Sequence, residues 1–430
     1  MPYLLENIRE REYNFSCEGM RKEVYFSLVS VLREKGRKFM AELTEATYPQ
    51  DYISSGGLIQ FLHNNTTQKW TNFHHEKTLI ETYNALCARL YGAQKESVIG
   101  ALKQSYDDVI ANVKKMISEE RIDEAKEVLD ECSFDYLNDH GPDHINMVIE
   151  RADDILKSAA DGAKLTVYEA FILLCAIQIH DIGNIKGRSE HEKKSICIFD
   201  EIAKDVILDT YERKVIKIIA KAHGGRTSNG SKNTLLALPE IDQINQQNIR
   251  IRFLAAVLRF ADELADDATR ANKIASNFKL LSESSEIYHA YSESLKSVLI
   301  QKDTNRGDSS VALKYYYETE GIEKKYKCIG GEKYLLDEIY DRTLKMERER
   351  IYFMRFARPY IDISKIVVTI GREDGELEDL GQSFQDIHYT LEDKFFPEEP
   401  VRSSQWLYDE VPTGESQYAD YLRRKGCKNE

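Results

Sequence analysis

Apolar residues recur at intervals of three and four along most of the chain, and this spacing is typical of amphipathic helices. Only Pro142 and Pro239 interrupt the stretch from residue 50 to 358, so the pattern predicts a mainly helical protein. Residues 1 to about 130 are expected to form several amphipathic helices, with one break around residues 54–68.

Capping residues predict where helices begin and end in the middle of the chain. Pro142 stands at the first position of a helix that should end at residues 161–162. Thr166 and Glu169 form a capping box before a very apolar helix, and Gly183 is expected to close that helix in a left-handed conformation. Ser189 and Glu192 form a second capping box, which predicts a helix starting at Ser189. Further helices are predicted from Asp209 to residues 223–225 and from Asn248 to about Asn272.

Beyond residue 280 the period changes from that of a helix to that of a strand. Val311, Leu313, Tyr315 and Tyr317 alternate with residues 312, 314 and 316, which predicts a strand. A second strand is predicted at 294–301. A charged helix from about 333 to 358 and the β-branched run IVVTI complete a β-β-α-β unit. The expected organisation is a helical region over 1–130, a helical core over 131–280, a small α+β unit over 281–372 and a polar tail over 373–430.

The net charge of −14 is concentrated at the C-terminal end. Residues 373–420 contain 14 acidic residues and two basic ones, whereas residues 140–272 contain 20 acidic and 18 basic residues. An extended nucleic-acid surface is therefore not expected, but a nearly neutral core does not exclude a small anion. The acidic tail is a candidate protein-binding or self-shielding segment.

The chain carries no recognisable signal for membrane insertion or export. Its longest apolar runs, residues 171–177 and 253–258, are much shorter than the roughly 20 residues of a membrane span. The N-terminus has charges where a secretory signal has its apolar stretch, so a cytoplasmic protein is expected. Seven scattered cysteines without a CxxC pair indicate reduced thiols.

Several histidines lie between residues 140 and 289, and one of them, His180, is directly followed by Asp181. If residues 142–161 and 166–181 form an antiparallel helical hairpin, His144 and His180 lie about 25 Å and about 21 Å from the turn, at similar levels. Asp262 occurs on an otherwise apolar helix, where a buried carboxylate requires a partner. Imidazole and carboxylate groups are suitable ligands for a divalent cation.

These segments resemble the HD-domain metal-dependent phosphohydrolases, which carry a histidine, then an HD pair, then a distant aspartate on successive helices. The matching segments are GPDHINMVIERA, LLCAIQIHDIGN and RFADELADDATR, so the resemblance covers roughly residues 135–280. It implies an HD-domain helical bundle core with His144, His180, Asp181 and Asp262 as metal ligands. One or two divalent ions are implied, and Mn, Mg, Fe, Co and Zn are not distinguished.

The same resemblance suggests catalytic roles for two further histidines. His191 is a candidate general acid, as in the deoxynucleotide triphosphohydrolase branch, and its predicted place at a helix N-terminus suits an anion. His223 resembles a histidine that some HD phosphodiesterases use to hold a second metal. Basic residues near these positions are the candidate phosphate-binding groups, namely Lys186, Arg188, Arg226 and Arg270.

Three functions are compatible with this set of residues. The first is hydrolysis of (deoxy)nucleoside triphosphates, although Asn184 stands where that branch usually has a histidine. The second is hydrolysis of a cyclic nucleotide or signalling dinucleotide, which a second metal at His223 would favour, although the chain has no GYP tripeptide. The third is a non-catalytic nucleotide-sensing module. The resemblance to the triphosphohydrolases also implies a homo-oligomer.

Overall fold

The structure is a computed structural model that describes most of the chain between residues 142 and 372 and parts of its flanks. The described residues are 57–65, 77–90, 115, 119, 142–158, 164–183, 191–204, 206–207, 209–244, 246–266, 286–302, 307–317, 324–328, 331–372 and 387–392. Most of the expected N-terminal helical region and the tail beyond residue 392 lie outside them. The described part is rich in helix and contains a small mixed sheet.

The helical part is arranged around one helix that is buried along its whole length. This is α4 (Val167–Ile179), whose thirteen residues are all buried and almost all apolar, as expected for a helix surrounded by neighbours. It contacts five other described helices, which are α1 (Gly57–Asn64), α3 (Pro142–Lys157), α5 (His191–Ile202), α6 (Thr210–Lys221) and α7 (Ile251–Leu264). Residues 79–90 form a further helix, α2.

Two of the predicted helix caps are confirmed. Thr166 and Glu169 form the full capping box of α4, in which each side chain binds the other residue's backbone N–H. The Asp209 carboxylate accepts hydrogen bonds from two backbone N–H groups at the start of α6. Gly225, after the end of α6, has a positive φ of 73°, which glycine adopts without steric cost.

The expected role of Gly183 is wrong. It does not adopt a left-handed conformation, and a Cβ atom built on it would lie 1.9 Å from the carbonyl oxygen of His191. Gly183 is therefore required for the close approach of two backbone segments, the turn after α4 and the start of α5.

Helix α7 begins three residues later than predicted. The preceding residues form a short antiparallel hairpin of β1 (Asp242–Ile244) and β2 (Gln247–Ile249), with Gln246 at a positive φ of 65° in its turn. The polar residues of this stretch fit an edge hairpin as well as the first turn of a helix, so the predicted helix was too long at its N-terminal end.

The β-β-α-β unit is confirmed, and it contains more strands than the sequence predicted. Its sheet has the order β3-β4-β7-β8, with β4 and β7 parallel and the outer pairs antiparallel. The strands are β3 (Leu295–Lys302), β4 (Ser309–Tyr317), β7 (Ile363–Arg372) and β8 (Ile387–Leu391). Strand β8 lies within the stretch that the sequence assigned to the polar tail. A separate hairpin, β5 (Lys325–Cys328) and β6 (Gly331–Tyr334), was not predicted.

The long helix α9 (Leu335–Ala357) connects the sheet to the helical part. It forms the crossover between the parallel strands β4 and β7, and it packs against both β7 and α7. The short helix α8 (Glu286–Ser294) also contacts α9 and the sheet. No described helix is both long and apolar enough to cross a membrane.

Candidate metal centre

Six polar residues meet where five helices begin or end. His144 lies in the first turn of α3, and Asp262 lies in the last turn of α7. His180 and Asp181 directly follow α4, His191 is the first residue of α5, and His223 comes two residues after the end of α6. Helix ends are fixed by the core beneath them, so the six side chains have little freedom to separate.

Four of these residues form the first ligand group, which consists of His144, His180, Asp181 and Asp262. The Oδ1 atom of Asp262 lies 3.2 Å from His144 Nε2 and 3.4 Å from His180 Nε2. The Oδ2 atom of Asp181 lies 3.7 Å from each of the same two nitrogens. All four predicted metal ligands are thus brought together, and both imidazoles are almost completely buried.

The second ligand group consists of Asp181, His191 and His223, so the two groups share one carboxylate. The other oxygen of Asp181, Oδ1, lies 3.1 Å from His191 Nε2 and 3.5 Å from His223 Nε2. Those two nitrogens are 3.3 Å apart. Asp181 therefore directs one oxygen to each pair of histidines.

The outer nitrogens of three of these histidines face oxygen atoms. His180 Nδ1 lies 2.7 Å from the carbonyl oxygen of Ile177, and His223 Nδ1 lies 2.5 Å from that of Ala220. His191 Nδ1 lies 3.6 Å from a carboxylate oxygen of Glu192. In the neutral imidazoles of His180 and His223, the close carbonyl acceptor favours the tautomer with a proton on Nδ1, which leaves the Nε2 lone pair directed towards the centre.

The two carboxylates dominate the electrostatics of the first group. Burial of His180 opposes its protonation, but the negative charges of Asp181 and Asp262 outweigh burial and raise the pKa of His180 to about 9. Burial alone would raise the pKa of Asp262, but hydrogen bonds from His144 and His180 hold it well below its ordinary value. A proton on His180 thus balances part of the negative charge at neutral pH.

The arrangement fits a divalent cation. Two ligands that each lie about 2.1 Å from one ion are roughly 3 to 3.5 Å apart, and the shortest separations in each group fall in this range. Imidazole nitrogen and carboxylate oxygen suit Mn²⁺, Fe²⁺, Co²⁺ and Zn²⁺. A buried cluster of two acids and four imidazoles can therefore exchange a proton for a metal ion.

Ser195 and Gly183 fix the turn that carries His180 and Asp181. The Ser195 hydroxyl donates to the His180 carbonyl oxygen at 2.9 Å and accepts from the backbone N–H of Gly183 at 2.8 Å. Because Ser195 is on α5, these hydrogen bonds join the turn to the helix that begins with His191. No motif or spacing in the sequence indicated this role of Ser195.

The predicted phosphate-binding residues are only partly described. Arg226 is exposed in the loop after His223, and its Nη1 donates to the carbonyl oxygen of Gly230 at 2.8 Å. Lys186, Arg188 and Arg270 lie outside the described residues. Arg259 and Glu263 are four residues apart on α7, a spacing that suits an ion pair, but Arg259 instead binds Glu349 on α9.

One comparison with known protein families matches the part of the chain that contains both ligand groups. A family model described as HD-CE matches residues 134–345, which contain all six residues of the two ligand groups, and this match supports an HD-domain-like fold. Searches of curated proteins and of solved structures found no match to the chain.

Proposed function

We propose that this protein is a metal-dependent phosphohydrolase with a two-ion centre, in which Asp181 bridges the two ligand groups. The observation that carries the proposal is the placement of one Asp181 oxygen near each pair of histidines. His144, His180 and Asp262 complete the first group, and His191 and His223 complete the second. The match to the HD-CE family model supports an HD-type hydrolase without specifying the substrate.

A divalent cation bound at such a centre supplies Lewis-acid polarisation of a phosphoryl oxygen and makes water nucleophilic at neutral pH. The residues of the chain hold and orient the reactants. His191 begins α5, so an anion beside it also faces the positive end of a twelve-residue helix. His191 is partly exposed, with 22% of its side-chain surface accessible, so it can meet a substrate. In a single-ion centre, where His191 holds no metal, it can donate a proton to a leaving oxygen.

The substrate we favour is a phosphodiester of a nucleotide, such as a cyclic nucleotide or a signalling dinucleotide. The sequence placed triphosphate hydrolysis first and made the phosphodiester conditional on a second metal at His223. His223 lies in the second ligand group, which favours the conditional alternative. Two ions can stabilise both the attacking and the leaving oxygen of a diester.

Hydrolysis of a (deoxy)nucleoside triphosphate is the second candidate. It requires only the first ligand group for metal and uses His191 as the general acid. The distance of 3.1 Å between His191 Nε2 and Asp181 Oδ1 supports it, because the carboxylate can orient the imidazole for proton transfer. Arg226, with the undescribed Lys186, Arg188 and Arg270, remains a proposed phosphate-binding residue in either case.

The two candidates are distinguished by the products and by one substitution. Metal-free protein loaded with Mn²⁺, Mg²⁺ or Co²⁺ is incubated with cyclic nucleotides, dinucleotides and deoxynucleoside triphosphates, and released monophosphate, pyrophosphate and triphosphate are measured. His223→Ala should reduce diester hydrolysis by at least about a hundredfold, the upper range for losing metal-site support. Triphosphate hydrolysis that survives His223→Ala selects the second candidate. No hydrolysis of any of these substrates by the loaded wild type would support a non-catalytic sensing module.

A further inference from the structure

A chain of partly buried hydrogen bonds runs from α9 to the turn that carries His223. Glu349 accepts hydrogen bonds from Arg259 Nε at 2.5 Å and from Arg259 Nη2 at 2.8 Å. The remaining Nη1 of Arg259 donates to the Lys232 carbonyl oxygen at 2.8 Å and to Thr234 Oγ1 at 3.0 Å. The Thr234 hydroxyl in turn donates to the carbonyl oxygen of Ala222 at 2.6 Å.

The direction of these hydrogen bonds is fixed by chemistry. A guanidinium group only donates, so Thr234 must accept from Arg259 and use its single proton for Ala222. Arg259 is 6% exposed, and its guanidinium also lies over the ring of Tyr352 at 4.7 Å. A buried arginine with a two-point carboxylate partner and an aromatic neighbour has little freedom to rotate.

The far end of this chain lies next to a ligand of the second group. Ala222 directly precedes His223, and Gly224 and Gly225 follow it, so the backbone beyond His223 is intrinsically permissive. His223 Nε2 lies 3.5 Å from Asp181 Oδ1. An anchor on the Ala222 carbonyl limits how far the His223 imidazole can move away from that oxygen.

We propose that Thr234, held by Arg259 and Glu349, is a positioning residue for His223 and hence for the second metal ion. This inference rests on the proposed two-ion function. It makes the geometry of the second group depend on α9, the helix of the C-terminal unit. Glu349 lies beyond residue 345, where the HD-CE match ends, so this support comes partly from outside the matched region.

Thr234→Val and Thr234→Ser test the proposal with little change in shape. Valine removes the hydroxyl but leaves the Arg259–Glu349 pair in place, whereas serine retains the hydroxyl. Mn²⁺ alone is titrated into the full-length metal-free protein, and electron paramagnetic resonance reports the magnetic coupling of two adjacent Mn²⁺ ions. Thr234→Val should weaken the second Mn²⁺ by about tenfold, a typical effect of losing a supporting partner, and leave the first within about twofold.

Activity adds a second readout. At limiting Mn²⁺, Thr234→Val should lower kcat with little change in KM, and excess Mn²⁺ should restore kcat. Thr234→Ser should resemble the wild type in both experiments. Lys345→Met is the matched control, because it removes the other ion pair between α9 and α7, Lys345 Nζ to Glu263 Oε2 at 2.7 Å, which is separate from Thr234. It should leave the affinity for the second Mn²⁺ unchanged.

Three outcomes would overturn the proposal. If Thr234→Val binds the second Mn²⁺ as tightly as the wild type, the positioning role is wrong and the two-ion function stands. If Lys345→Met weakens the second ion as much as Thr234→Val, the effect comes from general loosening of α9. If the wild type itself binds only one Mn²⁺, the two-ion function fails, and the positioning role fails with it.

Discussion

Metal binding to the first ligand group should release a proton from His180. In the metal-free protein the two carboxylates raise the pKa of His180 to about 9, so this imidazole carries a proton at neutral pH. A protonated imidazole cannot bind a metal ion through Nε2, and the proton must leave first. Apparent affinity for the first ion should therefore rise with pH until His180 has titrated.

The size of this effect follows from the pKa. At pH 7, about two units below the pKa, deprotonating His180 costs about 3 kcal/mol, which weakens the apparent affinity roughly a hundredfold relative to pH above 9. Between pH 7 and 8.5 the dissociation constant should fall about tenfold per pH unit. Calorimetric titration of Mn²⁺ in two buffers of different ionisation enthalpy should show release of about one proton per first ion at pH 7.

His223→Ala is the matched control for this experiment. It removes a ligand of the second group but leaves both carboxylates that raise the His180 pKa. It should release the same proton with the first ion. An affinity that stays flat from pH 7 to 8.5, together with proton release near zero, would refute the reasoning and place His180 in its neutral form.

Three further predictions concern stability and assembly of the centre. The His180 pKa is raised from about 6.5 to about 9, so protonated His180 stabilises the metal-free protein fully below pH 6.5. About 3 kcal/mol of this stability should be lost as the pH rises through 9. The thermal unfolding midpoint should fall accordingly, and saturating Mn²⁺ should oppose the fall. Gly183→Ala should lower the unfolding free energy by several kcal/mol and weaken metal binding, because its Cβ would lie 1.9 Å from the His191 carbonyl oxygen; unchanged denaturant midpoints would contradict this. Asp181→Ala should abolish binding of both ions, whereas Asp262→Ala should abolish only the first, as measured by bound Mn²⁺ per chain.

The first ligand group was predictable from the sequence because rigid helices determine it. His144 and His180 fall at similar levels of two predicted helices. Because the rise per residue of a helix is constant, their levels can be compared without knowing the conformation of the turn between the helices. Asp262 was predictable because a carboxylate in so apolar a helix demands a partner. The structure brings the ligand atoms of the first group within 4.8 Å of one another.

The second group and its support were less predictable because they depend on irregular backbone. His223 lies in the turn at residues 223–225, and His191 is separated from Asp181 by a stretch of sequence without a periodic pattern, so spacing alone does not relate either histidine to Asp181. Arg259 pairs with Glu349, which is 90 residues away in the sequence, whereas the spacing of four residues within α7 favoured a pair with Glu263. Strand β8 was missed because a long polar segment separates it from β7.

The shared carboxylate of Asp181 explains why the centre is formed by helix ends. A side chain in mid-helix presents one edge to a neighbouring helix, whereas Asp181, in the turn after α4, has His144 and His180 near one oxygen and His191 and His223 near the other. A turn after a helix lacks regular helical hydrogen bonds, and the Ser195 hydroxyl on α5 provides hydrogen bonds to the turn instead. The hydroxyl that stabilises the turn thus also joins it to α5, so the distance from Asp181 to His191 depends on how α5 packs against α4.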